Sequence, residues 1–213
     1  MSIEAVFGAE VRARVAGAVR RAEALSRGQI VPVVVEKSGA YGEVRFWGGL
    51  LLAALATLGV LLLRPTLGLG DLVLLQAAAG ALGALVSGWG PLERLLAGGR
   101  ALEAAVHARA LRAFAEEGLY RTAEGTGVLV FASLFEHRAV VLGDRGIHER
   151  IGDVEWDRAV AALVAGLREG DPGEGFVEAI ALCGARLAEH FPKDPASRAS
   201  GNELEDSIRV ERR

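Results

Sequence analysis

The chain of 213 residues holds one cysteine, Cys183, so no intramolecular disulfide framework can form. Lysine is almost missing: only Lys37 and Lys193 occur, and arginine carries nearly all the positive charge. Charge of one sign is also lacking, with a formal net charge of −3, which gives no pull toward a polyanionic partner. The arginines are scattered among acids rather than gathered in a stripe, which excludes a nucleic-acid footprint. The start, MSIEAVFGAEVRARVAGAVRRAEAL, has no basic segment followed by an apolar run, so a cleaved signal peptide is not expected. Walker loop, Gly-x-Ser-x-Gly elbow and paired-histidine zinc motif are all missing; HERIG lacks the second histidine.

What the chain does have is apolar length. Phe46 to Leu63 is uncharged, with Thr57 as its only polar side chain. At about 1.5 Å per residue it reaches roughly 27 Å, near the hydrocarbon thickness of a bilayer. RPTLGLGD supplies a turn, and Leu72 to Trp89 is a second uncharged run containing Gln76 and Ser87. Trp47 and Trp89 mark the outer ends of the two runs, the level at which interfacial tryptophans collect. Gly49, Ala53 and Thr57 recur every four residues, as do Gly80, Ala84 and Gly88. That spacing puts small residues on one face of each helix and lets two backbones approach closely in lipid. A transmembrane hairpin is expected. Arg27, Lys37 and Arg45 precede it and Arg94, Arg100 and Arg109 follow it, against Arg64 alone in the turn. The bias places both flanks in the cytoplasm.

The flanks read as one α/β domain. Val11, Val15, Val19, Ala22 and Leu25 share a helical face, and QIVPVVVE is a continuous apolar strand of the kind covered on both faces. Pro32 cannot donate a ladder hydrogen bond, which predicts an edge strand or a bulge. A helix ending at Gly118 follows the hairpin. TGVLVFASLF and RAVVLGDRG, joined at Glu136 and His137, form a β-hairpin. Asp153 is the expected N-cap of a helix with Trp156, Val160, Leu163, Val164 and Leu167 as its apolar stripe. Asp171 and Pro172 open a last helix through His190, with Phe176, Ile180, Cys183 and Leu187 inward. Ile208 and Val210 are docking points in the polar tail. The fold class is α/β: a three-layer α/β/α sandwich with a mixed sheet, interrupted by a two-helix transmembrane hairpin. The expected boundaries are 1–43 and 92–192 for the domain, 44–91 for the hairpin and 193–213 for a polar tail.

GLYRTAEGTGVLVFASLFEHRAVVLGDRGIHERIGDVEWDRAV resembles the TPM domain family, named after a thylakoid lumen protein and widespread in bacteria. The most specific part is Gly127-Val128-Leu129, the strand, the charged turn, and Val140 to Gly146. The resemblance implies an α/β sandwich attached to a membrane, here a bacterial inner membrane. It also implies roles in membrane-protein maintenance, including photosystem II repair in plants, and a phosphatase activity suggested for some members. The internal hairpin departs from relatives with a signal peptide and a C-terminal anchor, so lumenal roles do not transfer. The family often has Asp-Asn before the Gly-Val-Leu; this chain has Gly125-Thr126, with Glu124 as the nearest acid.

One cluster carries metal-binding chemistry. Asp144, His148, Glu149, Asp153, Glu155 and Asp157 follow the second strand of the β-hairpin, and loops at strand ends are where α/β sheets bind ligands. Asp144, Asp153, Asp157 and Glu124 are the candidate ligands for Ca²⁺ or Mg²⁺, hard cations that take oxygen donors and orient a phosphate. Each also suits a structural role: Asp144 a turn, Asp153 a cap, Asp157 the first turn of a helix. His107 and His190 read as structural helix residues, and Cys183 as inert. The expected function is a membrane-anchored accessory or interaction module whose partners are the bilayer and other membrane proteins. The alternatives are a metal-dependent phosphatase and a scaffold that oligomerises through the hairpin.

Overall fold

Seven consecutive residues, Gln29–Val35, are buried on both faces of the sheet, as an apolar run without alternation requires. They form β1 in a computed structural model that describes residues 3–63, 67–122, 125–151, 156–193 and 206–211. The described elements run α1 (Ile3–Val6), α2 (Ala9–Leu25), β1, α3 (Gly42–Leu63), α4 (Leu69–Ser87), α5 (Gly90–Ala97) and α6 (Gly99–Glu116). A 3₁₀ turn (Leu119–Arg121) leads to β2 (Gly127–Ser133) and β3 (Arg138–Gly143). Then come α7 (Arg145–His148), α8 (Asp157–Glu169), α9 (Pro172–His190) and β4 (Arg209–Glu211). The architecture is mixed α/β with an open four-stranded sheet in the order β3-β2-β1-β4. The chain divides into two compact units, Gly39–Leu102 and the remainder, Met1–Ser38 with Glu103–Arg213.

In the unit that holds the sheet, β1 pairs in parallel with β2 from Gln29↔Gly127 to Val35↔Ser133. β2 pairs antiparallel with β3, from Val128↔Gly143 to Ser133↔Arg138. The turn between them uses His137 at φ 51°, a left-handed position uncommon for a residue with a side chain. Alternation along the strands sends their side chains to two clusters. Ile30, Val34, Val128, Val130 and Ala132 pack with Val15 and Val19 of α2, Leu163 of α8 and Phe176, Ile180 and Leu187 of α9. Val31, Val33, Val35, Leu129 and Phe131 pack with Val106, Ala110 and Ala113 of α6. Phe7 meets the Phe176 ring edge-on at 5.8 Å. Helices α8 and α9 approach through glycine: a Cβ on Gly166 would lie 2.7 Å from the Gly175 Cα. Asp171 caps α9 by accepting the Glu174 N–H at 3.0 Å, with Pro172 next to it as expected.

Several sequence expectations need correction. β1 is interior in the strand order rather than an edge strand. Gln29 N–H donates to Thr126 O toward β2, whereas Ile30 N–H donates to Glu23 Oε1 on the other side. Alternation therefore puts the Pro32 nitrogen on the side away from β2, just before the pairing with β4 begins at Val33. The missing donor costs no ladder bond there. Leu25 is 66% exposed, because it is the last residue of α2, where its carbonyl accepts Lys193 N–H at 3.3 Å. Trp156 is buried but precedes the helix as its N-cap residue, and Asp153 lies outside the described residues. The tail does more than dock: Arg209–Glu211 is a fourth strand, parallel to β1, beside a buried Ile208. Arg209 pairs with Glu117 at 3.0 Å, and Arg109 pairs with Glu211, which ties β4 to the end of α6.

In the other unit, α3 and α4 are 22 and 19 residues long and apolar enough to cross a membrane. The small residues of the two repeats face each other. A Cβ on Gly49 would lie 2.8 Å from Gly80 O, and one on Gly83 would lie 2.5 Å from Gly48 O. Gly80 has room: its Cβ would stand 3.9 Å from that of Ala53. Gln76 Nε2 donates to Thr57 Oγ1 at 2.8 Å, and Thr57 Oγ1 donates back to Ala53 O at 2.9 Å. In an apolar surround such a link contributes roughly 0.6–2 kcal/mol and fixes the register of the pair. The long side chains turn outward instead: Leu62 is 73% and Leu85 74% exposed.

The glycine contact generates a test. The Cβ separation at residues 53 and 80 falls in the range of a disulfide, about 3.5–4.5 Å. Ala53→Cys with Gly80→Cys is expected to cross-link readily under mild oxidant. Adding Gly83→Val should slow that cross-link at least tenfold by driving the backbones apart. Gly59→Val, at a position with open space around its Cβ, should leave it unchanged.

Candidate functional site

The acidic loop begins where β3 ends. Asp144 N–H continues the sheet to Gly127 O at 2.8 Å, and the Asp144 carboxylate then caps α7 by accepting Arg145 N–H at 2.7 Å. Gly125, at φ 63°, lies across from it: its Cβ position is 3.5 Å from Asp144 Oδ2 and 3.3 Å from Gly146 N. A side chain at residue 125 would meet both a disfavoured backbone and this neighbour, which is why the loop before β2 needs glycine here. The loop is anchored by Thr122, whose Oγ1 accepts Thr126 N–H at 3.0 Å, while Thr126 Oγ1 donates to Arg27 O at 3.0 Å. Asp157 opens α8 with its side chain exposed, in the first helical turn where a carboxylate complements the dipole. Arg145 and Glu149 pair at 3.0 Å on the surface of the same loop.

Glu124, Asp153 and Glu155 lie outside the described residues. Among the described residues no three His, Cys, Asp or Glu side chains gather as a metal site. The structure thus brings residue 125 against Asp144, and shows no contact between Asp144 and Asp157. The position of the loop corrects one expectation. Because β3 runs antiparallel, Gly143 pairs next to Val128, at the amino ends of the parallel strands β1 and β2. The rule that ligands bind at carboxyl ends points to the opposite edge of the sheet.

At the opposite ends of the strands Ser38, Ser133 and Glu136 form a polar group within the turn region after β2, one that local sequence does not reveal. The Glu136 carboxylate accepts Ser38 N–H at 2.9 Å and the Ser133 hydroxyl, and Ser38 Oγ lies 2.9 Å from Ser133 Oγ. Ser133 and Glu136 are almost wholly buried. Glu136 thereby ties the residues after β1 to the end of β2. Lys37 lies 4.2 Å above the Phe135 ring beside it.

A second carboxylate that the sequence does not single out is Glu23, near the end of α2. Its Oε1 accepts Ile30 N–H at 2.8 Å, and Lys193 Nζ reaches its backbone oxygen at 3.4 Å. Burial pushes the Glu23 carboxyl up to about 7; the Ile30 amide opposes this, the charge and hydrogen bond of Asp206 add to it, and Lys193 lowers it again. Two carboxyl groups separated by nearly the whole chain cannot be paired from spacing alone. Cys183 is fully buried and its thiol is pushed up to about 12 by desolvation, so it is inert at neutral pH. His190 is the last residue of α9 and His107 lies within α6, as read.

Residues 99–186 match the family model described as the TPM domain. This segment belongs to the TPM domain family. No curated protein matches the chain. The fold is similar to the NMR structure of BA42 protein from the psychrophilic bacterium Bizionia argentinensis sp. nov.. The two are 20% identical, with a TM-score of 0.60 over 99% of each chain. The TPM segment runs from the start of α6 into α9 and so contains β2, β3, Asp144 and Asp157. Glu23, β1 and β4 lie outside that matched segment.

Glu23 sets a pH dependence whose sign is fixed. Its folded-state value is raised above the ordinary 4.5 to about 7, so the native state favours the protonated acid. The resulting stability is complete below about pH 4.5 and is lost as pH rises through about 7. Thermal unfolding of the full chain in mild detergent should therefore show a falling Tm between pH 5 and 8. Glu23→Gln should flatten that fall, with a gain at pH 8 on the order of 1 kcal/mol after allowance for partial exposure.

Proposed function

We propose that the chain is a membrane-anchored TPM-domain protein that acts as a non-catalytic accessory or interaction module for other membrane proteins. α3 and α4 span the bilayer as a hairpin, with the globular domain in the cytoplasm of a bacterial cell. The observation that carries this reading is the outward display of leucine along both helices, which a water-facing surface does not tolerate at this length. At about 1.5 Å per residue, α3 and α4 reach about 33 and 28 Å, enough to cross with a small tilt. Topology supports the hairpin independently. β1 precedes α3 and β2 follows α4, yet they are neighbours in one sheet, so both flanks must lie on one side. Two crossings satisfy that; one does not. The arginine-rich flanks favour the cytoplasm as that side.

We read the domain as a three-layer α/β/α sandwich, with α2, α8 and α9 on one face of the sheet and α6 on the other, drawn from the residues before α3 and those after α5 through β4. A metal-dependent phosphatase is the second reading. It draws on the apposition of Gly125 to the Asp144 carboxylate, which places the residue after Glu124 beside one candidate Ca²⁺ or Mg²⁺ ligand. Asp153 and Asp157 would have to complete that set. The buried Cys183 offers no nucleophile to either reading. A scaffold that oligomerises through its small residues draws less support, because those residues are spent on the contact between α3 and α4.

Reporter fusions at residues 40, 68 and 213 test the anchor. The first and last should report a cytoplasmic location and the middle one an external location. An external signal at either outer position, or a cytoplasmic signal at all three, contradicts the proposed topology. Calcium or magnesium added to the melting assay separates the second reading, which requires stabilisation by mass action that Asp144→Asn removes.

A further inference from the structure

Helix α5 presents a surface that the membrane-spanning pair does not need. Its single acid, Glu93, is almost wholly buried and pairs with Arg45 Nε at 3.3 Å. Arg45 reaches it by crossing Gly88, where a Cβ would stand 2.7 Å from the same Nε. This pair fixes the rotation of α5 about its own axis. With Glu93 turned inward, Leu95 is 76% and Leu96 54% exposed, and Trp89 at the start of the helix is 68% exposed. From Trp89 to Ala101 the chain carries two arginines, Arg94 and Arg100, and Glu93 as its only acid. The surface of α5, with Arg94 on it and Arg100 just past its end in the first turn of α6, therefore combines bare leucine and tryptophan with net positive charge, at the point where the chain leaves α4.

We propose that α5 is an interfacial helix that lies in the headgroup layer of an anionic membrane, with Trp89, Leu95 and Leu96 in the acyl boundary and Arg94 and Arg100 at phosphate level. The proposal rests on α3 and α4 spanning the bilayer. Two observations select lipid as the occupant. Exposed apolar side chains run on along the chain from the hairpin into α5, at Leu85, Val86, Trp89, Leu95 and Leu96. The removal of Glu93 from the surface leaves a charge pattern complementary to anionic headgroups, since an exposed acid there would be repelled. Tryptophan at the junction is the residue expected at that depth.

Nitroxide labels read the depth directly. The full chain, in a Cys183→Ala background, would carry a label at Leu95→Cys or, separately, at Leu55→Cys. Each is reconstituted in nanodiscs of phosphatidylglycerol with phosphatidylcholine, and of phosphatidylcholine alone. Power saturation compares collisions with oxygen, which partitions into lipid, and with a nickel chelate, which stays in water. The label at residue 55 should be oxygen-accessible and nickel-excluded in both lipids. The label at residue 95 should lie about 5–10 Å below the headgroups in the anionic discs. In neutral discs its water-exposed population should rise about fivefold for each arginine that loses its anionic partner. A lipid-immersed residue 55 with a water-exposed residue 95 overturns the interfacial helix and leaves the hairpin standing. Water exposure at both positions overturns the hairpin and the proposal together. A label at residue 95 shielded from both reagents indicates a protein contact and overturns the proposal, as does equal immersion in both lipids.

Discussion

The parallel pairing of β1 with β2 is the constraint on which the rest depends. Seven residues before the apolar helices and seven after them share a continuous register, from Gln29↔Gly127 to Val35↔Ser133. Both strands are buried throughout, and their alternating side chains supply the centre of two hydrophobic clusters. Whatever lies between them must return the chain to its starting side. A parallel pair always needs a long crossover, and here the crossover carries α3, α4, α5 and α6. An anchor inserted at this place costs the sheet nothing in pairing, provided that it crosses an even number of times.

Two crossings, as proposed for α3 and α4, meet this condition, and the pair has its own packing rules. Apolar side chains give no driving force for association in lipid, so close backbone contact and a few hydrogen bonds must hold the helices together. Gly48, Gly49, Gly80 and Gly83 supply the first, and the Gln76–Thr57 link supplies the second. In the sheet-bearing unit the balance is reversed, with burial of Val, Ile, Leu and Phe as the main term. β4 is held differently again. Three residues pair with β1, and ion pairs from Arg209 to Glu117 and from Arg109 to Glu211 add to them.

What could be read from the sequence followed the range of the interactions. Local signals held: Asp171-Pro172 opens α9, the turn at Glu136 and His137 joins β2 to β3, and the two apolar runs are helices. The apolar run Ile30–Val35 gave a strand covered on both faces because period and burial are set within the segment. Pro32 misled, since a missing donor matters only where a partner strand lies opposite, and β4, far along the chain, pairs with β1 only from Val33 onward. Leu25 fitted the helical period but lies at the helix end, where period no longer implies burial. Among candidate ligands, the resemblance set residues 124–126 beside Asp144 as one site, and the structure shows the approach of Gly125 to Asp144. The Glu23–Asp206 pair and the Ser38–Ser133–Glu136 group were not, because each joins residues brought together only by tertiary packing.

The central claim is that one α/β domain is assembled from both flanks while the hairpin serves as an anchor separate from its core. Excision tests it most directly: Tyr41 is joined to Gly99 through a short flexible linker, and the product is followed by circular dichroism and thermal unfolding. The account predicts a water-soluble protein with a mixed α/β spectrum and a single cooperative transition, because the residues of both clusters remain. An unfolded or wholly insoluble product would contradict it and would make the hairpin part of the fold.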